Sequence, residues 1–298
     1  MLWRRLYSNK GRRFFSVYNA KFIADDGSIF TFGADGSNVF DIDGLSGMKM
    51  TLTKSQTYSR VGENVSSVAA GGRPLTINGY IYGSIPSVKR DMLRIFRAFT
   101  TGRLIFDDKY YINVVVKDTP TVSPKKNDGS FLLALFAPDP YFRDVKTQYV
   151  EFNSLTANFT FPFTLSESSF ALGLVSPVMT ANAYNDGDAS TAYTLTITAL
   201  QETTNPRLTC GNKYIAFTMT LAKDDKLIIW RADDGSFRAD WHQTGGDKVV
   251  DALQYLNDGS TLFELGIGDN HLVARNQEGV PMGVVVSFNS PFSGVYET

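Results

Sequence analysis

Residues that carry chemistry are scarce in this chain of 298 residues. It has one cysteine, Cys210, and two histidines, His242 and His271. A single cysteine excludes an internal disulfide and leaves the redox compartment open. Cys210 therefore reads as a small core or edge side chain beside a turn. Zinc needs three or four ligands at set spacing, and neither CxxC nor HExxH occurs. GxSxG, Walker and GxGxxG motifs are missing too. No catalytic, cofactor-binding or metal residue is assigned, no cofactor is expected, and an enzyme is not. Long apolar runs are also lacking, which excludes a membrane-spanning helix. The net charge of −1 gives no basic footprint for nucleic acid. The start, MLWRRLYSNKGRRFF, mimics a targeting peptide, but Ser8, Asn9, Lys10 and Gly11 interrupt any signal-length apolar run. The chain reads as a soluble protein made without secretion.

Weak motifs remain. Several of the 30 carboxylates sit in Asp-Gly turns, where they hydrogen-bond locally, and a carboxylate-pair hydrolase is the remote reading. Asp41-Ile-Asp43-Gly44 has the opening of a calcium loop but lacks the fifth-position ligand and the distal Glu. Asn64-Val-Ser66 and Asn158-Phe-Thr160 are sequons in form only.

What is abundant is aromatic residues and glycine: Phe 22, Tyr 14, Gly 25. That combination reads as short strands and tight turns. Asp-Gly recurs at Asp26-Gly27, Asp35-Gly36, Asp128-Gly129, Asp186-Gly187, Asp234-Gly235 and Asp258-Gly259, which argues for antiparallel hairpins. Length suggests two domains of about 150 residues each. The one long helical pattern is Pro86–Thr101. Val88, Met92, Ile95, Phe96 and Phe99 form its apolar stripe, and Arg90, Arg94 and Arg97 the opposite face. Pro86 suits the first turn and Gly102 the left-handed stop. The arginine stripe is either a solvated face or a contact face for a partner subunit.

Phe14–Ala20 and Ser28–Phe32 read as a hairpin, and Lys49–Leu52 as a short strand. Thr53–Gly72 is polar and small; it is a surface loop or an extended arm that orders against a neighbour. Arg73–Tyr82, Arg103–Phe106, Tyr110–Lys117 and Phe131–Ala137 are further strands. Asn113–Val116 and Leu132–Phe136 are apolar enough to be buried. Pro138 and Pro140 stop the pattern, which places a boundary just after Phe142. The domains are then 1–143, with the helix near 86–101 and the arm near 53–72, and 144–298. The second half shows no amphipathic helix. Tyr193–Leu200, Tyr214–Leu221, Lys226–Arg231, Thr261–Leu265, His271–Asn276 and Gly283–Phe288 are strands of an antiparallel sandwich.

Several stretches, in their order, carry a resemblance. They are Gly44-Leu45 followed by the polar arm and Arg73-Pro-Leu-Thr-Ile-Asn-Gly79; SVKRDMLRIFRAF followed by Gly102-Arg-Leu-Ile-Phe106; and LLALFAPDPYF over Leu132–Phe142. In the second half they are Asn185–Ile197, Asn205-Pro-Arg207, Leu221–Trp230 and Leu265–Asn270. Together they resemble the distal tail proteins of long-tailed, non-contractile bacteriophages, over nearly the whole chain. The resemblance implies a mainly β fold: an N-terminal split β-barrel with one α-helix, then a C-terminal galectin-like antiparallel β-sandwich. It implies a structural virion protein and no catalytic residues. Six copies would form a ring at the tail tip, between the tail-tube protein and the tail-associated hub or receptor-binding proteins. The protein would be made in the host bacterial cytoplasm. Asn205-Pro206-Arg207 matches part of the galectin sugar motif, but Thr203 stands where that motif has histidine. A carbohydrate-binding baseplate module for host wall polymer is the rival reading, since a shared fold does not imply a shared ligand.

Overall fold

The computed structural model describes residues 19–48, 50–56, 61–82, 84–123, 129–157, 173–232, 234–246 and 248–295. The expected strand Phe14–Ala20 and the sequon at Asn158 lie wholly or mostly outside these residues. The described chain is mainly β, with antiparallel sheets and one α-helix. It divides into two compact units, Met1–Val145 with Phe292–Thr298, and Lys146–Pro291.

The strands of the first unit are β1 (Ala20–Ala24), β2 (Ile29–Thr31), β3 (Ser37–Asp43), β4 (Met50–Ser55), β5 (Asn64–Ala70), β6 (Arg73–Ile81), β7 (Thr101–Phe106), β8 (Tyr110–Val122), β9 (Ser130–Ala137) and β10 (Phe142–Asp144). Its main sheet runs β2-β1-β7-β8-β9-β6-β3, with β10 paired to the start of β8, and the path does not close on itself. Strict alternation builds the core. Leu75, Ile77 and Ile81 of β6, Phe131, Leu133 and Leu135 of β9, and Ile112, Val114 and Val116 of β8 all point inward and are buried. Leu132 and Phe136, expected to be buried, face the other way and are 43% and 39% exposed. The run Phe131–Phe136 therefore alternates like its neighbours despite its uniform composition.

The helix α1 (Ile85–Ile95) is shorter than its pattern predicts. Pro86 does sit in its first turn. The end is set by tertiary contacts. Phe96 leaves helical geometry at φ −91°, ψ 62°, and its ring enters an aromatic cluster 4.8 Å from Phe22 and 5.4 Å from Phe30. The chain then turns back onto β8 through Phe99, whose N–H donates to the Val116 carbonyl at 2.9 Å. Phe99 is thus expelled from the stripe assigned to it and stands 85% exposed. Gly102 is not the helix stop. It lies within β7, where a Cβ would meet the Ile23 carbonyl oxygen at 2.4 Å.

The polar segment from Thr53 is not a loop. Among the described residues β4 and β5 form a two-stranded ribbon that pairs only with itself, and every residue of β4 is exposed.

The second unit is a sandwich. Its strands are β11 (Gln148–Glu151), β12 (Asn153–Ala157), β13 (Gly173–Asn185), β14 (Tyr193–Ala199), β15 (Thr203–Thr204), β16 (Arg207–Cys210), β17 (Lys213–Ala216), β18 (Thr220–Leu221), β19 (Lys226–Arg231), β20 (Phe237–His242), β21 (Val249–Asp251), β22 (Gly268–Arg275) and β23 (Met282–Phe288). One sheet runs β11-β23-β14-β19-β20-β21 and the other β12-β13-β22-β16-β17. Leu195, Ile197, Val284 and Val286 from the first share a single core with Met179, Leu208, Ile215 and Leu272 from the second. Tyr193, Leu195, Ile197 and Ala199 are the inward set of β14. Thr261–Leu265, expected as a strand, contributes only a bridge between Leu265 and Thr191.

A buried carboxylate fastens one corner of this sandwich. Burial pushes the Asp225 carboxyl up, but donors outweigh it and hold it below the usual aspartate range: the Thr244 N–H at 2.7 Å, the Trp241 Nε1–H at 2.9 Å and the Ala222 N–H at 3.1 Å. A depressed pKa lends stability that is present above the unfolded value and lost as pH falls through the folded one. Residues 146–291 expressed alone should therefore melt cooperatively as a β protein, with a melting temperature that falls below about pH 4. Asp225→Asn should flatten that acid limb, as followed by circular dichroism. An unfolded fragment, or an unchanged acid limb, would contradict this.

Candidate functional site

Among the described residues no group of three or more His, Cys, Asp or Glu side chains could hold a metal ion. His242 lies on β20 and His271 on β22, in different sheets. Cys210 ends β16 half-buried; burial pushes its thiol up, with Lys213 acting against the shift, so the thiolate is scarce. Asp41 and Asp43 stand on strand β3 on either side of buried Ile42, not in a loop that could wrap an ion.

The stretches that carried the resemblance do structural work. Arg73 opens β6 and is only 3% exposed. Its guanidinium donates to three carbonyls: Pro140 at 2.7 Å, Gly44 at 2.7 Å and Ser293 at 2.6 Å. It also lies 4.8 Å from the centre of the Phe142 ring. Burial pulls its pKa down, and it has no carboxylate partner among the described residues. One side chain thus ties the turn after β3, the Pro138–Pro140 break and the returning C-terminal segment to one strand. In the second unit, buried Asn185 caps its own Asp-Gly turn. It donates to the Ala189 carbonyl at 2.8 Å and accepts from the Gly187 N–H at 3.1 Å. Asn270 does the same for Leu265–Asn270, donating to the Gly266 carbonyl at 2.9 Å and accepting the Gly266 N–H at 2.8 Å.

The sugar-type segment runs from β15 into the start of β16. Thr203 is buried and donates to the Gln201 carbonyl at 2.9 Å. The Asn205 amide is engaged by Gln277 at 2.6 Å. The Arg207 guanidinium is stacked 3.9 Å from the centre of the Tyr214 ring. Thr203 and Asn205 are thus engaged within the chain, whereas the buried Arg207 Nε has no hydrogen-bond partner among the described residues.

What the surface of the first unit does offer is two unpartnered features. The first is the β4–β5 ribbon. Its cross-strand register, Met50↔Ala70, Leu52↔Val68 and Lys54↔Val65, puts Met50, Leu52 and Val65 on one face. They are 53%, 45% and 52% exposed. A lone two-stranded ribbon is marginal in water, and an apolar face on it calls for cover. The ion pair of Lys54 with Glu63 at 2.7 Å is exposed and worth little. The second feature is the outer face of α1, where Arg90, Leu93 and Arg94 are exposed. Sequence reasoning named the arginines but missed the strand character of the arm and the exposure of Phe99.

No protein-family model matches the chain, and no curated protein matches it in sequence. Solved structures do match in fold. The crystal structure of the SPP1 Dit protein, described as a paradigm of the hub adsorption apparatus in phages that infect Gram-positive bacteria, aligns over 93% of this chain and 100% of its own, at 13% identity and a TM-score of 0.67. A chain of the phage P2 baseplate, in its activated conformation with Ca, aligns over 93% of this chain and 99% of its own, at 8% identity and a TM-score of 0.53. The likeness takes in residues of both units and is one of fold.

Proposed function

We propose that this protein is a structural component of a phage tail, the distal hub of a long non-contractile tail. In this reading six copies close into a ring between the tail-tube protein and the tail-associated hub or receptor-binding proteins. The protein then resides in the virion after synthesis in the host cytoplasm. The split-barrel and galectin-like descriptions of the two units belong to the same reading. It calls for no catalytic residue, no cofactor, no sequence-specific nucleic-acid contact and no membrane insertion.

The observation that carries it is the end-to-end likeness to SPP1 Dit, which takes in both units. The β4–β5 ribbon adds independent support. Its exposed apolar face suits an arm laid on an adjacent subunit, and closed rings are the common way for one chain to build a hub.

The test is to replace residues 51–69 with a short Gly-Ser link. Ring assembly, followed by mass in solution and particle imaging, should be lost while circular dichroism of the monomer stays near native. An unaltered ring would remove the arm from the interface.

A further inference from the structure

In the second unit β16 and β22 pair with Arg207 directly opposite Arg275, and β17 brings Tyr214 opposite Thr209. Leu208 and Ala274 are buried in the sandwich core, so Arg207, Thr209 and Arg275 share the face that turns away from it. Two cations directly opposite on neighbouring strands repel each other. Neither arginine has a carboxylate within ion-pair distance among the described residues. The acidic groups nearby in the chain are engaged elsewhere. Glu278 accepts the Thr204 N–H at 3.0 Å, and Asp269 accepts the Asn182 amide at 2.6 Å.

The frame around the two arginines is fixed. The Asn205 amide donates to Gln277 at 2.6 Å and the Gln277 N–H to the Thr204 carbonyl at 3.0 Å. These bonds tie the entry to β16 against the exit from β22. Asn276 closes the turn after β22, donating to the Val280 carbonyl at 2.7 Å and accepting the Val280 N–H at 2.9 Å. The Tyr214 ring holds the plane of the Arg207 guanidinium. Within this frame both the Arg207 Nε and the Thr209 Oγ1 are buried without a hydrogen-bond partner among the described residues. Buried donors are nearly always met, so an unmet N–H on a charged group calls for an acceptor from outside the chain.

We propose that this face binds a phosphoryl group between Arg207 and Arg275. Two guanidiniums bring two charges and two forks of donors. A phosphate dianion balances the charge and has oxygens enough to accept a pair of bonds from each fork, whereas a carboxylate has two oxygens to divide between them. Arg207 is the positioned half of the clamp, and the exposed Arg275 closes on the anion from the neighbouring strand. Binding draws the Arg207 fork toward the anion and gives its Nε an acceptor. The site does not depend on ring assembly.

The full-length protein tests it, with inorganic phosphate as the probe, followed by phosphorus NMR at fixed ionic strength. Phosphate should bind saturably, and acetate should displace it only at concentrations at least about tenfold higher. Arg275→Gln removes one half of the clamp together with the like-charge contact. Without phosphate its melting temperature should be unchanged or raised, while its phosphate affinity falls at least about tenfold. Arg207→Lys keeps the charge and loses the fork, and should weaken phosphate to a similar degree. Acetate that competes as well as phosphate would overturn the phosphoryl assignment. No saturable binding, or binding that Arg275→Gln leaves unchanged, would mean an adventitious ion only and would overturn the site.

Discussion

Phe96→Ala is expected to lower the stability of the first unit by about 3–5 kcal/mol. The ring is fully buried, with its centre 4.8 Å from that of Phe22, 5.4 Å from Phe30 and 6.0 Å from Phe32. Truncation removes a large apolar area and several edge and tilted ring contacts, each worth about 0.5–1.5 kcal/mol beyond burial. It also opens a cavity at the point where α1 meets the sheet, and a close-packed interior refills such a hole only in part. Against a domain stability of about 5–15 kcal/mol this is a large share. Arg94→Ala, on the exposed side of the same helix, should cost under about 0.5 kcal/mol. Chemical denaturation that resolves the transition of the first unit measures both. Equal losses would mean that the buried and exposed faces of α1 are wrongly assigned.

Arg73→Met is the second large effect, at about 2–4 kcal/mol of destabilisation. Removing the guanidinium strips the donor from three carbonyls, each on a different segment. Relief of the buried charge offsets part of that loss. Arg73→Lys should recover less than half of it. An ammonium on a single stem cannot present donors to three diverging carbonyls, nor lie flat over the Phe142 ring. The same denaturation experiment checks it. A Lys variant as stable as the wild type would show that the fork geometry is not what Arg73 supplies.

Local pattern revealed much of this fold. Strict alternation located β6 and β14 to within a residue or two, because each has one face on a core. Pro86 marked the start of α1. Its end was hidden, because capture of Phe96 by Phe22 and Phe30 overrides a helical pattern that continues to Phe99. The β4–β5 ribbon was hidden for the opposite reason. With no core to face, it carries only sparse apolar residues among threonine and serine. β13 was missed because Pro177 interrupts it and Ala181 and Ala183 give a weak strand signal.

Asp-Gly pairs carried two meanings. Gly27 and Gly235 take positive φ at 84° and 81° in hairpin turns. Gly187 instead leaves room for the Pro291 carbonyl, 2.4 Å from where a Cβ would stand. The role of Arg73 was not legible at all. Its partners lie 29, 67 and 220 residues away in the chain.

The hub reading is tested most directly by imaging an intact tail tip that contains this chain. Six copies closed in a ring between tube and tip proteins is the expected result. The chain in any other arrangement, or outside the tail, would contradict it.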